Sequence, residues 1–495
     1  MPDVFKTSLS RAVPPFVLAL DVGSTASRGS LYDARGLPIA GSKLRLAHSF
    51  TTATDGTSTV DADAIAVELA QIIDFVTKAA QGRAIAGVAI DTFSANLVGV
   101  DASGQAITPC YTYADSRCAS QVEALREAFD EANVQQRTGT RFHSSYLAPR
   151  FLWLRESQPE LFNTVDRWMA LGEYVYLKML GHTAIGTAGA AWTGLLNRHT
   201  GEWDRELLEH CGVRVEQMGK IRDPDQPLSD NLGKAAARWP ELKNARWFPV
   251  VSDGLVSNIG AGAPDSRAMA ASAATSGAMR VIVNGIPEKI PSGLWAYRIS
   301  RDRAILGGAL NDVGRAITWI DETLRLPEGD TLDEVFTRNP DPHTPVALPY
   351  LTGERSTGWA SRAQASFTGV TFSTQGDALA RALMEGVSQS YARVFDQLKS
   401  VGGTPGEIRM SGRVMQDHPG WLAMLADCLQ LPVLPVVIKR ATLHGTALLA
   451  LDTIAPDVER ADPTIGQRFE PVPENAAYYA KHRERFEEQY GALVR

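Results

Sequence analysis

The sequence predicts an α/β protein of two duplicated domains flanking a central cleft, on three observations. Its 495 residues, 44% of them hydrophobic, exceed what one core holds, because single cores rarely grow past roughly 250–300 residues. Short apolar strands alternate with stretches of helical period through both halves of the chain. A hairpin tipped with hydroxyl and glycine residues occurs twice, about 250 residues apart.

The first hairpin begins with the continuous apolar run Phe16-Val-Leu-Ala-Leu20, broken by Asp21-Val-Gly-Ser-Thr25. A second strand follows over Ser27–Tyr32, and Asp33-Ala-Arg-Gly36 turns the chain back. Residues 1–14 show no such pattern and read as a loose tail. Apolar residues at i, i+3 and i+4 predict helices over Asp63–Ala80, Ser116–Phe129 and Ala148–Glu156, with strands at Ala84–Ile90 and Leu97–Val100. The second hairpin runs from Met269–Ala274 through Thr275-Ser-Gly277 into Ala278–Val283, and by itself is a weak internal repeat. Strands at Ile305–Leu310, Pro345–Tyr350 and Val433–Val437 and helices at Val313–Leu324 and Asp377–Lys399 complete the second half. The boundary falls near Gly262–Ser266, giving domains 1–263 and 264–495. A single barrel fits less well, because the strand–helix units are irregular in length and interrupted by hairpins.

Composition narrows the partners. The formal charge of −7 is spread along the chain without a run of Lys or Arg, which predicts no nucleic-acid or anionic-membrane partner. The longest apolar stretches, Pro14–Leu20 and Pro432–Ile438, fall short of the ~18 residues that span a bilayer, so the expected location is the cytoplasm. Cys110, Cys118, Cys211 and Cys428 lack C-x-x-C or zinc spacing and read as free thiols in a reducing compartment. The nine histidines show no ligand spacing either. Walker, dinucleotide, nucleophile-elbow and H-E-x-x-H signatures are all absent.

What remains is the pair of hydroxyl-rich glycine turns. Such turns suit phosphates, since successive backbone N–H groups converge on an anion while Ser and Thr add donors with little bulk. Asp21 follows directly after a buried strand, where its carboxylate either reaches a water-bearing Mg²⁺ or caps a turn. Asp253, in Phe248-Pro-Val-Val-Ser-Asp253-Gly254, ends another short apolar strand. It either accepts a proton from an attacking hydroxyl or serves as an ordinary Asp-Gly turn. Asp115 and Glu173 are candidates for binding polyol hydroxyls, with helix caps or surface charges as the plainer reading.

Asp21-Val-Gly-Ser-Thr25 with Arg28 resembles the first phosphate motif of the FGGY carbohydrate kinases, members of the actin, Hsp70 and hexokinase superfamily. Tyr113-Ala-Asp115-Ser-Arg117, Ser252-Asp253-Gly254 with Asn258-Ile-Gly-Ala-Gly262, and Thr275-Ser-Gly277 resemble further family motifs in the same order. So do Gly307-Gly-Ala-Leu-Asn311, Gly353-Glu-Arg-Ser356, Gly369-Val370 through Leu383-Met-Glu-Gly386, and Ser411-Gly412 with Trp421–Asp427. The resemblance spans almost the whole chain and implies ribonuclease H-like (actin-like ATPase) domains, with ATP and Mg²⁺ as cofactors. It implies Asp253 as catalytic base and Asp21 as the Mg²⁺-side carboxylate. Gly23, Ser24, Thr25, Arg28, Thr275, Ser276 and Gly277 become phosphate contacts, and Gly308, Asn311, Gly412 and Arg413 fall at the nucleotide pocket. Phe93, Ser94 and Asn96, standing where ketopentose members carry Met-His-Gly, join Asp115, Glu173 and Tyr174 as substrate contacts.

This chain departs from the family at Arg150, where Lys is usual, and at Ser411-Gly412-Arg413, which puts a long cation beside the adenosine site. Asp91-Thr-Phe93, Thr138-Gly-Thr-Arg-Phe-His143-Ser-Ser, Leu171-Gly-Glu-Tyr174 and Gly277-Ala-Met-Arg280 look most like the gluconate-kinase-like branch. D-gluconate is therefore the first acceptor to consider, with pentuloses or other polyols as alternatives. A small sugar or sugar acid and a second copy of the chain, as a homodimer, are the partners to expect. A sugar-sensing relative without transfer activity is a rival that the retained Asp21 and Asp253 oppose. An actin-like or chaperone-like ATPase is a second rival, and it has no candidate peptide-binding segment here.

Overall fold

The computed structural model describes residues 5–228, 233–438, 440–463 and 466–494. Of the expected loose tail, residues 1–4 lie outside the described residues, and the rest is tied down. The Thr7 N–H donates to Pro38 O at 3.1 Å, the Ala40 N–H to Thr7 O at 2.8 Å, and the Ala34 N–H to Val13 O at 2.8 Å. Satisfied backbone groups hold this segment along the first hairpin.

The first sheet is built from β1 (Phe16–Val22), β2 (Ala26–Tyr32) and β3 (Leu44–Ala47), followed by helix α1 (Ala62–Ala79) and strand β4 (Ile85–Thr92). After a largely helical insertion containing α2 (Leu147–Ser157) and α3 (Leu171–Leu180), the short strands β5 (Arg246–Trp247) and β6 (Val251–Ser252) rejoin β4, and α4 (Asp253–Gly260) leaves the sheet. Pairing is antiparallel for β1/β2 and β2/β3 and parallel for β1/β4 and β4/β6.

The second half repeats this plan. Strands β7 (Ala268–Ala273), β8 (Gly277–Asn284), β9 (Trp295–Ser300) and β10 (Arg303–Leu310) precede helices α5 (Gly314–Thr323) and α6 (Gly376–Gly402). Then come β11 (Glu407–Ser411), α7 (Gly420–Leu429), β12 (Val433–Pro435), α8 (Ala441–Ile454) and α9 (Ala476–Leu493). Here β7/β8 and β8/β10 are antiparallel while β7/β11 and β11/β12 are parallel. Three antiparallel strands followed by parallel ones recur in both sheets, and the second adds β9 antiparallel to β10. The weak sequence repeat is thus a full topological duplication.

Alternation assigns the faces of each sheet. Leu18 and Leu20 pack with Ile65, Leu69 and Ile72 of α1, whereas Val17 and Ala19 pack with Leu443, Ala447 and Leu451 of α8. In the second sheet Met279 and Val281 meet Leu383, Val387 and Val394 of α6, while Ile282 and Ile305 share a core with Leu255 and Ile259 of α4. Each half therefore sends the helix that follows its last strand onto the other half's sheet.

These two exchanged helices cross at glycines. A Cβ added to Gly260 would lie 1.8 Å from Ala441 O, and one added to Gly445 would lie 1.8 Å from Val256 O. No side chain fits at either position, so the backbones touch and lock the halves together.

Candidate active site

Three aspartates gather at the carboxyl ends of parallel strands, the place where open α/β sheets bind ligands. Asp21 on β1 and Asp91 on β4 are direct Cα partners, and Asp91 is in turn the partner of Val251 on β6, two residues before Asp253. The sequence marks Asp21 and Asp253 as candidate acids and Asp91 only as part of the Asp91-Thr-Phe93 resemblance. The signal was present, since Asp91 ends an apolar strand just as the other two do.

The surroundings of the three differ. Arg28 Nη1 donates to Asp21 Oδ2 at 2.9 Å, and Thr442 Oγ1 of α8 donates to the same oxygen at 3.3 Å. Thr446, one turn further along α8, donates to Asp91 Oδ2 at 2.6 Å, while Asp91 Oδ1 is buried without a partner. Burial raises the pKa of Asp21, with Arg28 opposing. Burial and the charge of Asp21 push Asp91 well above the usual carboxylate range. Two carboxylates so placed hold a proton or a cation between them. The donor chemistry, two hard oxygens with one unsatisfied, fits a divalent cation that keeps several waters.

Asp253 is the first residue of α4, whose N-cap Ser252 accepts from the Gly254 N–H at 3.3 Å. Ser94 Oγ donates to Asp253 Oδ1 at 2.7 Å and is also bonded to Ser252 Oγ. Burial raises the Asp253 pKa, and the Ser94 hydrogen bond opposes it. Trp192 stands against the start of the helix, where a Cβ on Gly254 would lie 2.8 Å from its ring. A small pocket beside Asp253 is lined by Phe93, Ser94, Asn96, Trp192, Thr193 and Ser252, among others.

The first phosphate turn reaches this pocket through Tyr113. The Tyr113 hydroxyl lies close to Ser24 and within the field of Asp253. Its ring packs edge-on against Phe50 and Phe93, with centroids 6.4 and 6.2 Å away. Gly23 O accepts from His48 Nε2 at 2.8 Å, which braces the turn, while Thr25 is exposed at its tip. In the second half, Thr275 and Ser276 are exposed at the tip of the β7–β8 hairpin, which rests on the start of α5: the Gly314 N–H donates to Ala274 O at 2.8 Å. Gly277 is pressed against Tyr391, and Gly412 (φ 112°) against the backbone of Ala273, where a Cβ would lie 2.1 Å from Ala273 O. Asn311 Nδ2 donates to Thr352 O and Gly353 O at 3.1 and 3.0 Å, on a shallow pocket it shares with Tyr350 and Ser356.

Several expected ligand contacts have protein partners of their own. Glu173 reaches back to the Ala170 N–H at 2.8 Å, capping α3, and burial raises its carboxyl to about 7. The Tyr174 hydroxyl donates to Asp63 at 2.6 Å, on the side facing α1. Asp115 is saturated by the Arg117 fork at 3.1 and 2.7 Å and by the Ser58 N–H at 3.0 Å. Asn96 is fully engaged with Thr92, the Phe93 carbonyl and the Leu171 N–H, so it shapes the pocket wall. Gly308 lies under Val394 and Ser356, where it makes room for packing. The Arg413 side chain is 86% exposed and pairs with Asp417 at 2.9 Å.

Arg150 explains its own departure. Its buried guanidinium donates to Ala95 O at 2.9 Å and Thr112 O at 2.7 Å, joining the Ser94–Ala95 turn, where Ala95 has φ 53°, to the loop before Asp115. A planar fork spans two carbonyls in a way a single ammonium does not.

Comparison with known proteins agrees with this geometry. The gluconokinase of Bacillus subtilis (strain 168) is 22% identical over 449 residues, 88% of this chain and 87% of its own. The xylulose kinase of Escherichia coli (strain K12) is 26% identical over 346 residues, 69% of this chain and 70% of its own. Among solved structures, a gluconate kinase from Lactobacillus acidophilus superimposes with a TM-score of 0.86 at 26% identity, covering 97% of this chain and 98% of that one. A Plasmodium falciparum glycerol kinase with ADP superimposes with a TM-score of 0.82 at 18% identity, covering 96% of this chain and 98% of that one. Residues 16–244 match the N-terminal domain described for the FGGY family of carbohydrate kinases, and residues 269–452 match its C-terminal domain. Two matched domains in order, on a duplicated fold with its carboxylates at the strand ends, place this chain in the FGGY family of carbohydrate kinases.

Proposed function

We propose that this carbohydrate kinase transfers the γ-phosphoryl group of ATP to a hydroxyl of a small sugar acid, with D-gluconate as the acceptor. The observation that carries the reading is Asp253, bonded to Ser94 and opening α4 beside the Ser24 turn, with Asp21 and Asp91 on the neighbouring strands. The gluconokinase relatives support a sugar acid, while the xylulose kinase relatives make a pentulose the acceptor to test against it.

Each part has a chemical task. Asp253 accepts the acceptor's hydroxyl proton late in the transfer, and its raised pKa brings it closer to neutral pH, where a general base works best. Ser94 fixes its rotamer. The turns at Gly23–Thr25 and Thr275–Gly277 present backbone N–H groups and hydroxyls to phosphate oxygens, stabilising charge without reorganising. Asp21 and Asp91 would hold Mg²⁺, which when bound neutralises phosphate charge. Arg28 aims Asp21 and opposes the burial that raises its pKa.

The test is ADP release measured with gluconate, xylulose, ribulose, glycerol and sedoheptulose. Gluconate is expected to give at least tenfold higher kcat/KM than any other. A pentulose leading by that margin overturns the substrate assignment, and no ADP release with any acceptor removes the assigned activity.

A further inference from the structure

Two arginines face the cleft with no protein partner. Among the described residues, neither the Arg280 nor the Arg355 guanidinium makes a hydrogen bond or ion pair, and the Nε of each is buried and unsatisfied. Buried arginines differ: the Arg150 Nε is also unsatisfied but its other nitrogens are bonded to carbonyls, and Arg381 is bonded to Glu385 at 2.9 Å and to two further carbonyls. Both side chains are part-buried, and a charged group with its Nε shut from solvent and unpaired is costly, so it suits an anion that arrives from outside.

The position of Arg280 follows from the pleat. Arg280 shares a face of β8 with Ile282, while Met279 and Val281 point into the core beneath α6. That face looks across at the first domain, where Leu255 and Ile259 of α4 meet it. Arg280, Gly307 and Trp295 lie in one row across three strands. The Trp295 ring covers Gly307 and lies 6.0 Å from the Arg280 guanidinium. Trp295 stacks on Tyr297 at 4.7 Å, and Tyr297 stacks on Trp192 at 3.9 Å, the residue that lines the pocket beside Asp253.

Arg355 approaches the same place from the loop after Tyr350. Its charge acts on His143, on the Tyr146 and Tyr297 pair whose hydroxyls are 2.7 Å apart, and on Arg280 itself. Two like charges near one another, neither bonded to a carboxylate, amount to a site for one anionic group. Arg280 also lies within the field of Asp253, so the anion belongs to the molecule whose hydroxyl Asp253 deprotonates.

We propose that Arg280 and Arg355 bind the carboxylate of an aldonate acceptor, with the Trp192–Tyr297–Trp295 stack supporting its carbon chain. The transferring phosphate is the rival anion. Arg280 stands three residues into β8 from the Thr275–Gly277 turn, roughly 10 Å at the rise of a strand, and Arg355, which also lines the shallow pocket of Asn311, acts on the aromatic residues rather than on either turn. The carboxylate is therefore the better fit. A guanidinium fork also matches a carboxylate in a way that rejects an alcohol in its place.

This inference rests on the sugar-acid reading, and one experiment separates the two. Wild type, Arg280→Met, Arg280→Lys and Arg355→Gln are assayed with gluconate, with its neutral counterpart glucitol, and with varied ATP. The expected result is a 100-fold or greater rise in the gluconate KM for Arg280→Met. A smaller rise is expected for Arg355→Gln and a partial rescue for Arg280→Lys, with the ATP KM within threefold of wild type and the glucitol rate unchanged. An unchanged gluconate KM in folded variants, judged by thermal denaturation, overturns the carboxylate site. So does an equal loss with both acceptors or a raised ATP KM, either of which assigns the arginines to phosphate. Wild type that ignores gluconate but turns over xylulose defeats the sugar-acid reading itself.

Discussion

Replacing Asp253 with Asn removes the proposed base while leaving shape and hydrogen bonding nearly intact. The amide oxygen still accepts from Ser94 Oγ, now at 2.7 Å from Asp253 Oδ1, and the side-chain volume is unchanged. General-base catalysis contributes roughly 10²–10⁴-fold, so kcat should fall about 10³-fold, which corresponds to about 4 kcal/mol of transition-state stabilisation. Burial raises the folded-state pKa of Asp253. Its proton is therefore held more tightly in the native protein, and stability falls as pH rises from the unfolded pKa through the raised folded value. Asp253→Asn escapes that cost, so its Tm at pH 7 should equal or exceed wild type. Wild-type kcat/KM should rise with pH through the same window and then level off, and the variant's residual rate should lack that limb. Coupled ADP release and ATP titration calorimetry measure both. Turnover within threefold of wild type with an intact pH limb refutes the base assignment.

Other outcomes follow from the same geometry. Asp91 is buried beside Asp21 with one oxygen unpartnered, so Asp91→Asn should raise Tm at pH 7 in metal-free buffer by about 2–4 °C, the shift that about 1 kcal/mol gives in a domain of 150–250 residues. That gain should shrink toward pH 4, where the wild-type carboxyl is protonated, and the same variant should lose Mg²⁺-dependent turnover. Gly260→Ala drives a methyl to within 1.8 Å of Ala441 O; thermal denaturation should show a loss of about 1–3 kcal/mol, with activity falling as Thr442 and Thr446 move away from the aspartates. Arg150→Lys leaves one of two buried carbonyls without its donor and should cost about 1–3 kcal/mol by denaturant titration while leaving the ATP KM unchanged. Arg413→Ala, at an exposed side chain paired only along its own helix, should leave the ATP KM within twofold of wild type.

The parts of the site that were legible in the sequence are those written locally. An apolar run breaking into glycine and hydroxyl residues marks both phosphate turns, and helical period marks α1 and α6. Asp21 and Asp253 announce themselves as acids at the ends of apolar strands. Asp91 carries the same signal, but a third acid makes sense only once β4 is seen paired to both neighbours. The sequence pattern does not predict helix α8, because Gly445 within its second turn weakens any helical reading. Its value lies in crossing Gly260 and delivering Thr442 and Thr446 to strands more than 350 positions earlier in the chain. Two further candidate acids are engaged close by in the chain. Asp115 is answered by Arg117 two residues away and Glu173 by the Ala170 N–H three residues back, so local partners had already claimed them. Arg280 and Arg355 were invisible as a pair because 75 positions separate them and only the fold brings them to one cleft.

A crystal structure with gluconate and a non-hydrolysable ATP analogue tests the central geometry most directly. The account predicts a triphosphate touched by N–H groups of both the Gly23–Thr25 and Thr275–Gly277 turns, with an acceptor hydroxyl hydrogen-bonded to Asp253 and in line with the γ-phosphorus. A triphosphate held by one turn alone, or an acceptor whose hydroxyls all lie beyond reach of Asp253, contradicts it.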